Sequence, residues 1–272
     1  MCWRCLPARD GQLRLSRRSF TTGVLSASVA QSIDPSCLPA ARDDLMEPHM
    51  SMAIPPGTVR TVALTLDACS GAADMRIIDT LLGLSVPATI FVTGLWLHAN
   101  SPTLERLRAR PDLFTLQNHG ELHLPAILGN HRVYGLPVAG TLDAIHREVE
   151  RGADAVAATG APRAKWYRAA AALYSPAAIS AIEAMDVRIA GFSLGADEGA
   201  SLPAASVARR IAAAVSGDVI IAHVNQPHRP SGAGVAAGVT ELHRSGTAFV
   251  GLDAFPMTAL RCHPIATAAA RV

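Results

Sequence analysis

The sequence predicts an α/β fold, a distorted (β/α)7–8 barrel. Short apolar runs of strand type alternate with helical periods about seven times, which favours a parallel sheet closed or nearly closed on itself. No glycine-rich phosphate loop follows the first strand, where Cys69-Ser70-Gly71-Ala72-Ala73 stands, so an open dinucleotide-binding sheet is disfavoured. The 272 residues are 50% hydrophobic and 17% charged, enough apolar material for one sizeable core.

In order, Val62–Leu66 reads as a buried strand running into Asp67. A helix over 74–82 carries Ile77, Ile78, Leu81 and Leu82 on one side and is expected to stop at Gly83. Residues 87–93 form the next strand and 102–108 a short helix. Phe114–Asn118 is a third strand, ending at His119. Thr141 is placed to cap a helix reaching Ala157, with Leu142, Ile145, Val149 and Ala153 in helical period. Trp166–Arg168 is a short strand, 176–185 a helix, 187–193 a strand and 207–215 a helix. The run 218–222 is a strand ending at His223, followed by a helix over 234–243 and a last strand near 248–251.

Outside this barrel domain, residues 59–272, the chain divides into two parts. Residues 1–30 read as a twin-arginine signal peptide: Ser16-Arg17-Arg18-Ser19-Phe20, a weakly apolar stretch, then Ser28-Val29-Ala30 as a cleavage site. Residues 31–58, rich in Pro, Ser, Asp and Met, read as a linker or an N-terminal arm covering one end of the barrel. The expected location is therefore periplasmic or secreted. No run of about 18 apolar residues is present, so no integral membrane segment is expected. With 24 basic against 22 acidic residues, nothing marks a nucleic-acid partner. Aromatics at 4% argue against a broad stacking platform for sugars. The spacing of Cys2, Cys5, Cys37, Cys69 and Cys262 fits no zinc ribbon and reads as stray cysteines.

The chemistry is positional. Asp67, His119 and His223 each stand at the C-terminal end of an expected strand, and Arg168 at the end of another. In a (β/α) barrel these ends converge on the face that carries the active site. His119-Gly120-Glu121-Leu122-His123 adds two histidines at i and i+4, which on one helical turn would share a face and a metal ion.

These residues resemble the polysaccharide deacetylases, the family-four carbohydrate esterases, over about residues 62–251. Thr65-Leu66-Asp67-Ala68 matches the family's Thr-Phe-Asp-Asp. His119 and His123 match its His-Ser/Thr-x-x-His with Gly120 in the hydroxyl position, Arg168 its arginine motif, and Ile221-Ala222-His223 its Leu-x-His. Asp197 corresponds to the aspartate preceding that last motif. The resemblance implies a barrel of the deacetylase type acting on an acetylated glycan, with N-acetyl or O-acetyl groups removed by general acid–base catalysis assisted by a divalent metal, usually zinc. It implies Asp67 as base, His223 as acid, Arg168 and Asp197 as their orienting partners, and His119 with His123 as metal ligands. Ala68 departs from the family, whose second aspartate is a ligand. The third position is open to Cys69, to a rotated Asp67 or to water. Two other readings remain: a non-catalytic glycan-binding relative, and a metal-independent amidohydrolase on the same scaffold.

The signal reading has a direct check. Replacing Arg17 and Arg18 with Lys is expected to hold the precursor in the cytoplasm on cell fractionation; unchanged delivery to the periplasm would remove the twin-arginine route.

Overall fold

The computed structural model describes residues 31–37 and 45–266, so the signal expected over 1–30 lies outside the described residues. In chain order the strands are β1 (Leu45–His49), β2 (Thr61–Ala68), β3 (Ala88–Val92), β4 (Phe114–Asn118), β5 (Arg132–Val133), β6 (Leu136–Pro137), β7 (Trp166–Tyr167), β8 (Arg188–Ile189), β9 (Leu194–Gly195), β10 (Val219–His223), β11 (Ala248–Val250) and β12 (Arg261–Ile265). The α-helices are α1 (Met75–Leu84), α2 (Gly94–Ala99), α3 (Ser101–Arg108), α4 (Leu142–Ala158), α5 (Pro176–Glu183), α6 (Ala204–Ala212) and α7 (Ser231–Arg244).

The main sheet runs β8-β7-β4-β3-β2-β10-β9, with β11 beside the start of β2, and every neighbouring pair is parallel. It curls into the distorted, incompletely closed barrel that the alternation of strands and helices predicts. Its two edges, β8 and β9, are consecutive in the chain, joined only by residues 190–193. That join is the seam of the barrel.

Strand β2 is buried along its whole length, as a central parallel strand covered on both faces must be. Its side chains alternate between two cores. Val62, Leu64, Leu66 and Ala68 pack outward with Ile77, Ile78 and Leu81 of α1, Trp96 of α2 and Val235 of α7. Ala63 turns inward to a second core that includes Phe91, Trp166, Tyr167 and Val219. Thr65 and Asp67 share that inward parity, and both are buried polar residues.

The seam is covered by the stretch before β2. His49 bridges to Phe192, Met50 N–H donates to the Phe192 carbonyl (3.2 Å) and Met52 N–H to the Gly217 carbonyl (2.8 Å). The fit is close: a Cβ on Gly191 would lie 2.5 Å from the Pro48 carbonyl oxygen, so no larger residue is accommodated without moving backbone. β1 then pairs antiparallel with β12.

Several boundaries differ from the sequence expectation for identifiable reasons. α1 runs through Gly83 to Leu84 and stops at Ser85, which takes the left-handed conformation at φ 53°. α2 is an additional helix, started by Thr93, whose hydroxyl accepts from Trp96 N–H (2.9 Å). The strand expected over 187–193 is only two residues long, because beyond it the carbonyls of Ala190 and Gly191 turn to a side chain instead of a neighbouring strand. Thr141 caps α4 as expected, accepting from Ala144 N–H (3.1 Å).

The cysteines are not all stray. Cys37 and Cys262 form a disulfide across 225 residues of sequence, tying the segment before the barrel to β12. Spacing could not reveal it, since the partners meet only where the segment 32–37 lies against Leu260 and Cys262, with Asp34 N–H donating to the Leu260 carbonyl (2.9 Å) and Cys262 N–H to Ser36 Oγ (3.1 Å). Among the described residues Cys69 is the free thiol. Reducing the disulfide, or replacing both cysteines with Ser, is expected to lower unfolding free energy by about 2–4 kcal/mol, measured by guanidinium unfolding of the oxidised and reduced chains.

Candidate active site

Asp67 is the penultimate residue of β2 and its register partner on β10 is His223, so the two side chains stand side by side at the C-terminal end of the sheet. Phe91 of β3 is the register partner on the other side. Arg168 follows β7 directly and is fully buried. A guanidinium without water needs an acceptor for each donor. Four of its five N–H groups find one: Nη1 donates to Asp67 Oδ1 (2.8 Å) and Thr65 Oγ1 (2.9 Å), Nε to the Ala190 carbonyl (3.3 Å), and Nη2 to the Gly191 carbonyl (3.1 Å). It also lies over the Phe91 ring, 4.3 Å from the centroid. Burial alone would raise the Asp67 carboxyl. The charge of Arg168, followed by those of His119 and His223, outweighs burial and holds it below the ordinary carboxylate range. The second oxygen, Oδ2, is 3.8 Å from His119 Nε2.

His223, at the end of β10, is paired with Asp197, which follows β9. Asp197 Oδ1 meets His223 Nδ1 at 3.0 Å and Oδ2 accepts from the His223 backbone N–H at 2.7 Å. Burial pushes the imidazole down, but the Asp197 carboxylate outweighs it and raises His223 well above the usual histidine value. Asn225 does not compete for this ring; its amide donates instead to the Ser70 carbonyl (2.6 Å).

His119 lies just past β4 and is buried. Its Nδ1 donates to the Arg168 carbonyl at 2.7 Å, which turns Nε2 toward Asp67 and Cys69. The His119 and His123 rings meet edge to face, centroids 4.9 Å apart. Their helical turn, expected from the i, i+4 spacing, is not formed. The segment is a loop in which Gly120 has φ 89° and His123 φ 61°. The cause is Glu148 on α4. Its carboxylate accepts from Leu122 N–H (2.9 and 3.1 Å) and Leu124 N–H (3.1 Å), wrapping the backbone around itself. Gly120 is required there, since a Cβ would fall 2.2 Å from Glu148 Oε1. Burial raises the Glu148 carboxyl against these hydrogen bonds. Sequence reasoning missed this residue, although a glutamate on the buried stripe Ile145, Val149, Ala153 and Val156 was a visible signal.

Cys69 completes the group. One ligand atom each from Cys69, His119 and His123 lies within 4.8 Å of the others. The loop carrying it is pinned: Thr93 Oγ1 donates to the Cys69 carbonyl and Asn100 Nδ2 to the Gly71 carbonyl (2.9 Å). Burial would raise the thiol, but hydrogen bonding with His119, His123 and His223 brings it well below its usual value. One thiolate and two imidazoles suit a catalytic zinc-type centre, which takes three protein ligands and leaves a position open. Ala68 points into the outer core and does not face the histidines.

Thus Asp67, Arg168, His119, His123, His223 and Asp197 come together, with Cys69 and Glu148 added. Glu148→Ala is expected to cost about 1–3 kcal/mol by leaving the N–H groups of Leu122 and Leu124 unsatisfied, read by urea unfolding. Glu150→Ala, on a half-exposed position of the same helix, is expected to stay within about 0.5 kcal/mol.

The family model "Polysaccharide deacetylase" matches residues 55–190, half of the chain. No protein of curated function matches it in sequence. Among solved structures it is similar to a family 4 carbohydrate esterase from Streptomyces lividans in complex with acetate (17% identity, TM-score 0.57, covering 73% of this chain and 97% of that one). It is similar to the peptidoglycan deacetylase PdaC from Bacillus subtilis (19%, 0.57, 73% and 90%). It is also similar to BA3943 from Bacillus anthracis, described as a pseudoenzyme of the same family (14%, 0.55, 72% and 64%). At these identities the likeness is one of fold. The curled parallel barrel and the matched model together establish that the chain belongs to the polysaccharide deacetylase family.

Proposed function

We propose that the protein is an exported hydrolase that removes acetyl groups from an acetylated glycan by metal-assisted general acid–base catalysis. The observation that carries this reading is the register pairing of Asp67 with His223, each held by its own oppositely charged partner, Arg168 and Asp197. A base kept ionised and an acid kept protonated, side by side on adjacent strands, are what amide hydrolysis at neutral pH requires.

Asp67 Oδ1 is occupied by Arg168, so Oδ2 is the oxygen that would take a proton from the attacking water. His223 Nδ1 is turned to Asp197, so Nε2 is the nitrogen that would deliver a proton to the departing amine. Water is consumed, the C–N bond breaks, and acetate and the free amine leave. A divalent cation held by His119 and His123, with Cys69 beside them, would supply Lewis-acid polarisation of the acetyl carbonyl.

Export is part of the same proposal. The arginine pair near the start motivates it, and the Cys37–Cys262 disulfide supports it, since such bonds persist in oxidising compartments. No helix among the described residues is long and apolar enough to cross a membrane.

The non-catalytic reading is favoured by two observations: Ala68 stands where the family has a ligand, and the fold is shared with a pseudoenzyme. Acetate release decides between them. The purified chain is expected to release acetate from at least one of chitin oligomers, peptidoglycan and acetylated exopolysaccharide. His223→Ala is expected to lower that rate by about 100-fold or more, in a chain whose circular dichroism shows it still folded. No release from any polymer would favour the non-catalytic reading; release untouched by His223→Ala would unseat the acid.

A further inference from the structure

The relocation of a ligand by one residue gives this centre a character of its own. Along β2 the parity of the strand sends position 68 outward, where Ala68 is fully buried with apolar side chains of the helix layer. Position 69 follows the inward parity of Asp67, and its sulfur meets the histidines. Sγ of Cys69 lies 3.5 Å from His119 Nε2. A tetrahedral zinc with Zn–S of about 2.3 Å and Zn–N of about 2.0–2.1 Å spaces its sulfur and nitrogen donors by about 3.5 Å. The Nδ1 contact to the Arg168 carbonyl orients the ring so that Nε2 is the nitrogen facing the sulfur.

We propose that Cys69 is the third protein ligand, binding as thiolate in place of a carboxylate, and that it makes the centre selective for zinc-like cations over magnesium and manganese. The proposal rests on the metal-assisted reading above. Coordination exchanges the S–H proton, released to solvent, for a sulfur–metal bond. Thiolate is a soft donor that magnesium and manganese bind poorly and zinc or cobalt(II) binds well. His123 is the half-buried member of the group, so the cation enters from its side. Asp67 is left in its pairing with Arg168.

The test uses the purified metal-free protein and Co(II) as a spectroscopic probe. One equivalent of Co(II) is expected to give a near-ultraviolet sulfur-to-cobalt charge-transfer band, and bound metal is expected to protect Cys69 from alkylation in the folded chain. Cys69→Ala is expected to lose the band and to weaken zinc binding by more than the 10–100-fold typical of losing an outer hydrogen-bonding partner. Cys69→Asp is expected to restore binding without the band and to narrow the preference for zinc over manganese. Cobalt bound without the band, or zinc bound equally by Cys69→Ala, overturns the proposal and leaves the deacetylase reading standing. The band present in a protein that releases no acetate overturns that reading and leaves the ligand assignment. A chain that takes up no cation overturns both.

Discussion

The ion pair between Arg168 and Asp67 is the constraint on which the barrel and its site both depend. Removing a guanidinium from water is costly unless its donors are met, and breaking such a pair by deleting one partner typically costs about 3–5 kcal/mol. Arg168 meets it for four of its five N–H groups, with Asp67, Thr65 and two seam carbonyls, on the face of Phe91. The same four bonds join β2 to the join between β8 and β9, across an interior where no strand pairing links the sheet edges among the described residues. A residue that sets the charge of Asp67 is thus also the fastening of an open barrel. This accounts for a β8 of only two residues: its continuation gives up ladder hydrogen bonds to serve the guanidinium.

Much of this was legible in the sequence because parallel barrels translate position into function. Val62–Leu66, Phe114–Asn118 and 218–222 are short apolar runs with a reactive residue at the end, and strand ends share one face of the barrel. Asp67, His119, Arg168 and His223 could therefore be grouped without knowing their partners. What was not legible depends on contacts between distant segments. The i, i+4 histidines suggested a helical turn, yet Glu148, 25 residues beyond His123, offers a better acceptor for that backbone than a helix would. The Cys37–Cys262 disulfide depends on the segment 32–37 meeting the start of β12, and neither carries a local signal of that contact, with Pro35 in one and Pro264 in the other. α2 was hidden for a different reason: six residues beginning with Gly94 carry too little periodicity to be seen.

The site divides its charges so that no carboxylate serves two roles. Asp197 gives both oxygens to His223, one to the ring and one to the backbone N–H. Asp67 commits Oδ1 to Arg168 and keeps Oδ2 toward the histidines. With Ala68 in the outer core, the carboxylate oxygen nearest the histidines is Asp67 Oδ2, and a cation bound there would take it from the role of base proposed for it. A thiolate at position 69 avoids that competition. The period of two along the strand end sets position 69 on the inward side with Asp67, and the pinned loop from Cys69 to Gly71 holds the sulfur there. On the proposed ligand set, the departure at position 68 and the cysteine beside it are one change: the ligand has moved one step along the chain, and the base stays paired with its arginine.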